Sequence, residues 1–246
     1  MTTEEKTTAD ELAAHPVTAS FHGLLFDMDG TLIDSTNAVI EHYKKIGEEI
    51  DVDPEDILKT AHGRRTIDVI RMFRPEKATW EYVRALEAAL PETYGSATPE
   101  VPGAKDLLNQ IMSKSVPWAI VTSGTTGLVT GWLKVLGLPK PKHLVVAEDV
   151  EQGKPDPAGY LMGRKSLGLE MKEKDVLVFE DSPAGIRAGK AAGCKVVGVV
   201  STHSAEQLKL AEPDWIVKDL SKVVIAKVED EKVVLEFNVV ADSLSN

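Results

Sequence analysis

The residues Leu24-Leu25-Phe26-Asp27-Met28-Asp29-Gly30-Thr31 form a short apolar run that ends abruptly in two carboxylates. A run of this length, closed by a glycine, is typical of a buried strand rather than of a helix. Two acids at the end of a buried strand are costly unless a cation or a reaction uses them. Since open α/β sheets bind ligands at the carboxyl ends of their parallel strands, this stretch predicts a metal-dependent acid site.

The second half of the chain alternates apolar runs with helical patterns. The apolar runs cover residues 118–121, 144–146, 176–179, 196–200 and 215–217. Because these runs do not alternate with polar residues, we expect helices on both faces of their sheet. This pattern predicts an α/β fold with a doubly wound, Rossmann-like parallel sheet. Two more apolar runs around Glu229-Asp230-Glu231 predict a C-terminal β-hairpin.

The segment between the first two strands has helical spacing throughout. The apolar positions that share the face of its first helix are Val39, Tyr43, Ile46 and Ile50. Asp53-Pro54 then places an N-cap and a first-turn proline at the start of the next helix. We expect a flexible N-terminal tail over 1–20, a core domain over 21–35 and 99–246, and an inserted all-helical cap domain over 36–98.

The charge balance and the cysteine content exclude several classes of protein. Of 246 residues, 28 are Lys or Arg and 39 are Asp or Glu, so the net charge is −11. This charge disfavours binding to nucleic acid or to an anionic membrane. The single cysteine, Cys194, rules out an internal disulfide and fits a reducing compartment. Because neither an export signal nor a membrane span is visible, we expect a cytoplasmic protein, and we expect it to be a monomer.

Polar residues recur near the ends of the predicted strands. They are Asp27 and Asp29, Thr122-Ser123-Gly124, Gly153-Lys154-Pro155 and Glu180-Asp181-Ser182. Because parallel strands bring their carboxyl ends to one edge of a sheet, we expect these residues to converge. Mg²⁺ prefers hard oxygen ligands, often a few carboxylates together with phosphate oxygens. The set therefore predicts a site for phosphoryl transfer on a small phosphate ester.

The residue types in this set fit that chemistry. Lys154 and a metal would neutralise a phosphate group that the acids would otherwise repel. Ser123 and the backbone N–H of Gly124 would donate to phosphate oxygens at the start of a helix. Of two acids in different environments, one can act as a nucleophile and the other as a general acid and base.

Two other motifs fail on their own requirements. Asp27-Met28-Asp29-Gly30 is not an EF-hand loop, because Leu32 and Ala38 occupy the positions that need Gly and Glu. Gly153-Lys154-Pro155 is not a P-loop, because proline replaces the required Ser or Thr. Taken singly, the remaining motifs also fit a helix cap or a solvated surface group. Their joint occurrence at successive strand ends favours a functional site.

Four motifs, in this order, resemble those of the haloacid dehalogenase superfamily. They are Phe26-Asp27-Met28-Asp29-Gly30-Thr31, Val121-Thr122-Ser123-Gly124, Gly153-Lys154-Pro155 and Phe179-Glu180-Asp181-Ser182. The helical segment between the first two resembles the helical cap of that superfamily. Members that dehalogenate lack a second aspartate like Asp29, so the resemblance implies a phosphatase or a phosphomutase.

The resemblance implies a role for each of these residues. Asp27 would attack phosphorus and form an aspartyl-phosphate, while Asp29 would protonate the leaving alcohol and then activate water. Ser123 and Lys154 would hold the phosphate group. The residues implied to hold Mg²⁺ are Asp27, Asp29 through its backbone carbonyl, Asp181 and, as an optional further ligand, Glu180.

A closer resemblance lies in the helical segment and the linker after it. Ala61-His62-Gly63-Arg64-Arg65-Thr66 and Glu100-Val101-Pro102-Gly103-Ala104 resemble segments of the fungal glycerol-phosphate phosphatases. The related fungal 2-deoxyglucose-6-phosphate phosphatases share His62-Gly63 and Arg65. This loop would close over the site and exclude bulk water. Arg65, which is bidentate and always charged, and His62 are candidates for contact with the substrate.

The resemblance implies a small phosphorylated polyol or sugar as the substrate, glycerol 3-phosphate (glycerol 1-phosphate) first and 2-deoxyglucose 6-phosphate as an alternative. A β-phosphoglucomutase-like enzyme would instead return the phosphoryl group to a second hydroxyl. A receiver-type signalling module also uses a phosphorylated aspartate, but it needs neither an acid at Asp29 nor a cap. Rapid release of inorganic phosphate distinguishes a phosphatase from both.

Overall fold

The computed structural model describes residues 15–61 and 63–240 of the chain. Its strands are β1 (His15–Phe21), β2 (Gly23–Phe26), β3 (Trp118–Val121), β4 (His143–Val145), β5 (Val176–Glu180), β6 (Lys195–Val199), β7 (Trp215–Val217), β8 (Val223–Glu229) and β9 (Lys232–Val239). Its α-helices are α1 (Thr36–Ile50), α2 (Pro54–Ala61), α3 (Thr66–Phe73), α4 (Trp80–Ala88), α5 (Leu90–Tyr94), α6 (Ala104–Ser113), α7 (Thr126–Leu136), α8 (Ala158–Ser166), α9 (Pro183–Ala191) and α10 (Ala205–Lys209). Within these residues, no helix combines the length and the apolar character that a bilayer crossing requires.

Six parallel strands form the main sheet, in the order β4-β3-β2-β5-β6-β7. Strand β2 is central, because Phe26 lies opposite Ile120 of β3 on one side and Phe179 of β5 on the other. The chain therefore adds strands on one side of β2 and then on the other. A reversal of this kind opens a crevice at the carboxyl ends of the strands, where ligands bind. The predicted doubly wound sheet is confirmed.

Both faces of this sheet are buried, which explains the continuous apolar runs. Phe26 and Phe179 belong to a hydrophobic cluster on one face, and their rings stack with centroids 4.6 Å apart. Leu25 and Val178 point into a second cluster on the opposite face. Helices α6 and α7 contribute to the first cluster, and α8 and α9 contribute to the second. The sheet is thus a rigid platform for residues at its carboxyl edge.

Helices α1 to α5, which we call the cap, lie between β2 and β3. Helices α1 to α4 share a hydrophobic cluster of their own, whereas Leu90 and Tyr94 of α5 pack on the first cluster of the sheet. Tyr43, Ile46 and Ile50 are buried in it, as their helical spacing predicts. Helix α2 begins at Pro54, and Asp53 accepts a hydrogen bond of 2.9 Å from the backbone N–H of Glu55. The division of the chain into domains at residues 36 and 98 stays a prediction.

A second, antiparallel sheet has the order β1-β9-β8. Strands β8 and β9 are the predicted hairpin, and Asp230 and Glu231 turn it with φ values of 49° and 60°. The predicted tail over 1–20 is wrong for residues 15–20, which lie in β1 and pair with β9. In β1, the alternate residues Val17, Ala19 and Phe21 pack on the first cluster, so burial orders this segment. Residues 1–14 lie outside the described residues.

Candidate active site

The carboxylates that follow or end β2 and β5 meet at the middle of the sheet edge. The backbone N–H of Asp27 donates to the carbonyl of Phe179 at 3.0 Å, so the pairing of the two strands continues up to the site. One carboxylate oxygen from each of Asp27, Glu180 and Asp181 lies within 4.8 Å of the others, and all three residues are buried. These three acids and Lys154 are called the strand-end cluster below.

Lys154 links two of these acids. Its Nζ donates to Oδ1 of Asp27, to Oε1 of Glu180 at 2.6 Å and to the carbonyl of Val121 at 3.2 Å. Burial alone would lower the pKa of Lys154, but the charges of Asp27 and Glu180 outweigh it and raise that pKa above its ordinary value. The ammonium group therefore stays charged within the strand-end cluster.

One lysine does not balance three buried acids. Burial raises the pKa of Asp27 to about 7, and Lys154 opposes this shift only in part. Burial, together with the charges of Glu180 and Asp27, also raises the pKa of Asp181. A divalent cation would neutralise the excess charge, and carboxylate oxygens are the donors that Mg²⁺ prefers. The residues present therefore fit the predicted metal.

Glu180 is 0% exposed and is held by several donors. Its Oε2 accepts hydrogen bonds of 3.0 Å from the backbone N–H groups of Asp181 and Ser182 and from the hydroxyl of Ser182. Its Oε1 accepts from Lys154 and, at 2.8 Å, from the hydroxyl of Tyr160. Since both oxygens are occupied, this geometry favours a role for Glu180 in positioning Lys154 over direct ligation of a metal.

Asp29, the second acid of the opening motif, has a different environment. Its Oδ1 accepts a hydrogen bond of 2.6 Å from the hydroxyl of Ser35. Burial raises the pKa of Asp29, while Ser35 and Lys154 oppose the rise. A carboxyl group with a raised pKa and a fixed orientation is suited to proton transfer. Asp27 and Asp29 therefore differ in their hydrogen-bond partners.

The predicted phosphate contacts lie where the cap meets the end of β3. The hydroxyl of Ser123 donates to the carbonyl of Gly63 at 2.8 Å, so it joins the core to the cap loop. The backbone N–H of Gly124 donates to the hydroxyl of Thr122 at 3.0 Å. Gly63 has a φ of 74°, and a Cβ there would collide with Ser182, so only glycine allows this approach. Ser123 and Gly124 as phosphate contacts stay predictions, and His62 lies outside the described residues.

The structure leaves Arg65 no free N–H group for the expected contact with the substrate. Arg65 is 3% exposed. Its Nε and Nη2 donate to the carboxylate of Asp68 at 2.6 and 3.0 Å. The remaining N–H groups reach the carbonyls of Ala147, Val150 and Glu151 at 3.1, 2.6 and 2.9 Å. A guanidinium group has five N–H donors, and all five are used within the protein.

Arg65 therefore fixes the cap to the loop that leads to Lys154. A Cβ at Gly153 would lie 2.8 Å from Nε of Arg65, so the glycine makes room for this contact. The neighbouring Arg64 is exposed and lines the cavity over the active site. Arg64 and Arg65 are neighbours in the sequence, but one side chain faces the cavity and the other binds the loop before Lys154. The position of two residues in the sequence does not reveal such a difference.

A cavity of about 90 Å³ lies between the strand-end cluster and the cap. Asp27, Asp29 and Asp181 line it from the core. His42 of α1, Glu87 of α4 and Trp132 of α7 also line it, and we call these three residues the polar wall. The cavity is therefore bounded by carboxylates at the sheet edge and, elsewhere, by a mixed polar and apolar surface.

Sequence patterns alone do not reveal the polar wall, although the position of Glu87 is a signal. Val83, Glu87 and Leu90 have the i, i+4, i+7 spacing of one helix face, and all three are buried. An acid at a position where the pattern expects an apolar residue indicates a special environment. His42 and Trp132 left no comparable signal, because a buried aromatic ring is ordinary in a hydrophobic core.

Comparisons with known proteins identify the family of this chain. The family model of the haloacid dehalogenase-like hydrolases matches residues 24–199. The chain belongs to the haloacid dehalogenase-like hydrolases. It is 40% identical over 233 residues to glycerol-1-phosphate phosphohydrolase 2 of Saccharomyces cerevisiae. The alignment covers 92% of this chain and 93% of that protein.

Other relatives have related names. The chain is 36% identical over 231 residues to 2-deoxyglucose-6-phosphate phosphatase 1 of the same yeast, with 87% of this chain and 94% of that protein covered. It is 36% identical over 218 residues to hexitol phosphatase A of Escherichia coli, with 87% and 98% covered. The expectation of an enzyme of the phosphatase class is confirmed by these relatives, and the signalling alternative receives no support.

Solved structures show the same fold. A hydrolase from Pseudomonas syringae superposes with a TM-score of 0.69 at 25% identity, over 80% of this chain and 94% of that one. CbbY from Rhodobacter sphaeroides, solved in complex with phosphate, has a TM-score of 0.69 at 19% identity, over 82% and 96% of the two chains. The second likeness concerns the fold alone.

Proposed function

We propose that this protein is a Mg²⁺-dependent phosphomonoester hydrolase that acts on a small phosphorylated polyol or sugar, most readily on glycerol 3-phosphate (glycerol 1-phosphate). The observation that carries the proposal is the strand-end cluster, in which Asp27 is placed beside Lys154 and Asp181 under a closed cap. The names of the relatives, which act on glycerol, hexitol and 2-deoxyglucose phosphates, support the substrate class.

The first half of the reaction uses both aspartates of the opening motif. A carboxylate oxygen of Asp27 attacks phosphorus, and a new P–O bond forms while the bond to the alcohol oxygen breaks. The leaving alkoxide takes its proton from Asp29, whose raised pKa keeps a proton available. The products of this step are the free alcohol and an aspartyl-phosphate at Asp27.

The second half returns the enzyme to its starting state. Asp29, now ionised, removes a proton from water, and the water oxygen attacks phosphorus. The bond to Asp27 breaks, so inorganic phosphate and a free carboxylate result. The hydrogen bond from Ser35 fixes the orientation of Asp29 in both steps.

Positive charge is needed because the nucleophile and the substrate are both anions. Lys154 supplies part of it within hydrogen-bonding distance of Asp27. Asp27 and Asp181 would hold Mg²⁺, which when bound would neutralise the phosphate oxygens. The contact between Ser123 and Gly63 keeps the cap loop closed over this region, and closure would exclude competing water during the first step.

A phosphate-release assay tests the proposal. The panel should contain both glycerol phosphates, 2-deoxyglucose 6-phosphate and hexose phosphates, each with Mg²⁺ and with EDTA. We expect the highest kcat/KM on a glycerol phosphate and loss of turnover in EDTA. Conversion of glucose 1-phosphate to its 6-phosphate without release would favour the phosphomutase instead. Absence of release from every ester would overturn the proposal.

A further inference from the structure

Glu87 is a buried acid without a cationic partner. Its side chain is 3% exposed, and its Oε2 accepts a hydrogen bond of 2.8 Å from the backbone N–H of Thr125 at the start of α7. Within residues 15–61 and 63–240, no lysine, arginine or histidine forms an ion pair with it. Burial raises its pKa to about 7, and Thr66 and Thr125 oppose the rise. The carboxylate nevertheless lines the cavity.

Two ring nitrogens of the polar wall have no hydrogen-bond partner among the described residues. They are Nε2 of His42 and Nε1 of Trp132, and the two side chains are 5% and 1% exposed. Burial lowers the pKa of His42 to about 4, with Lys45 adding to the effect, so its ring is neutral near pH 7. Buried polar groups in native proteins are nearly always paired. Both rings line the same cavity as Glu87, so a polar ligand there would satisfy them.

The strand-end cluster contains a cation, whereas the polar wall does not. Lys154 is already committed to Asp27 and Glu180 in the strand-end cluster. Among the described residues that line the cavity, the one lysine or arginine is Arg64, and it is exposed. Above pH 7, where Glu87 is mostly ionised, a neutral hydroxyl beside it can donate to the carboxylate, whereas a carboxylate or a second phosphate there would face an unpaired negative charge.

We propose that Glu87 is the specificity-determining residue for the alcohol part of the substrate: its carboxylate accepts a hydroxyl of a neutral polyol phosphate and rejects esters with a second anionic group, and His42 and Trp132 complete this hydroxyl site. The inference rests on the proposed function. It requires that the alcohol part of the substrate is uncharged and carries hydroxyl groups.

Three esters of similar size test the proposal. Glycerol 1-phosphate offers hydroxyls, propyl phosphate has the same carbon chain without them, and phosphoglycolate carries a carboxylate. We expect Glu87→Gln to lower kcat/KM on glycerol 1-phosphate relative to propyl phosphate by about tenfold, because a hydrogen bond to a charged group is replaced by a neutral one. We expect the same variant to raise kcat/KM on phosphoglycolate.

Glu148→Gln is the matched control. Glu148 also accepts from the start of α7, with Oε2 at 3.1 Å from the N–H of Thr126, but it does not line the cavity. This variant should leave the ratios between the three esters unchanged. Ratios that respond equally to both substitutions would overturn the inference, because the effect would then arise from the helix terminus.

Trp132→Phe provides a second, independent variant, which decides the matter if Glu87→Gln does not fold. It removes the indole N–H together with part of the ring system of a buried side chain. The loss of volume should affect both esters alike, so turnover of glycerol 1-phosphate should fall by a larger factor than that of propyl phosphate. Equal losses on both esters would overturn the hydroxyl site. A wild-type enzyme that releases phosphate but shows no preference among the esters contradicts this inference alone, whereas one that hydrolyses none of them contradicts the proposed function as well.

Discussion

The strand-end cluster and the polar wall bury their polar groups in opposite ways. In the cluster, Lys154 pairs with Asp27 and Glu180, and Glu180 is saturated with donors. In the wall, Glu87 has no counter-charge and two ring nitrogens have no partner among the described residues. Because unpaired buried polar groups cost free energy, a hydroxyl-bearing ligand in the cavity would stabilise the wall. In our proposals, the cluster holds the groups that perform the reaction and the wall holds those that select the substrate.

The largest expected effect is at Asp27. Asp27→Asn removes the nucleophile while preserving its size and a hydrogen-bond acceptor, so phosphate release should fall by about a thousandfold or more. A steady-state assay with glycerol 1-phosphate measures this, and circular dichroism checks the fold. Asp34→Asn, at an exposed acid of the same loop, is the control. Residual turnover above a few per cent would contradict the assignment of Asp27 as nucleophile.

The next effect tests whether the strand-end cluster depends on its cation. Lys154→Met should lower the free energy of unfolding by about 3–5 kcal/mol in the absence of divalent metals, because it leaves buried carboxylates without a partner. Urea unfolding at pH 7.5 measures the change. Lys195→Met breaks a partly exposed pair with Asp214, 2.7 Å long, and should cost at most about 1 kcal/mol. Equal losses would indicate that Lys154 does not compensate the cluster.

A smaller effect is expected at Arg65, and here the structure changes the expectation. The sequence predicts that loss of Arg65 harms the true substrate more than a generic aryl phosphate. Because all its donors bind protein, we now expect Arg65→Lys to lower kcat/KM on both esters equally and to cost about 2 kcal/mol of stability.

Arg71→Lys is the matched control for Arg65, since Arg71 is exposed and also donates to Asp68, at 2.8 Å. It should change neither activity nor stability measurably. A loss confined to the polyol phosphate in Arg65→Lys would restore the original prediction and contradict the bonding seen here.

The smallest effect per step of the experiment is a change in the pH dependence of stability. The folded state raises the pKa of Glu87 from 4.5 to about 7, so it holds a proton more tightly than the unfolded chain does. The stability that this group contributes is therefore present below pH 4.5 and is lost as the pH rises through about 7. Compared with wild type, Glu87→Gln should lose less stability between pH 5 and pH 8, with a slope difference below about 1.4 kcal/mol per pH unit. Parallel curves from urea unfolding would contradict a shifted pKa.

The sequence predicts the strand-end cluster well because its residues adjoin apolar runs that only a parallel sheet accommodates. The proximity of Asp27 and Glu180 follows from the pairing of two parallel strands and does not depend on any other packing. The direction of Arg65 and the environment of Glu87 depend on how the cap meets the core, and that contact joins segments far apart in the chain. Residues 15–20 were misjudged for the same reason, since their partner β9 lies at the opposite end of the sequence.

The pairing of β1 with β9 also determines how the molecule would respond to force. His15 lies opposite Val239 and Phe21 lies opposite Val233. The first residue of β1 and the last residue of β9 are therefore at the same end of this strand pair. A pull on both ends of the chain would therefore open these pairs one after another, like a zipper, rather than load them all together. In a single-molecule experiment, β1 and β9 would separate at low force before the load reached β2 and the carboxylate that follows it.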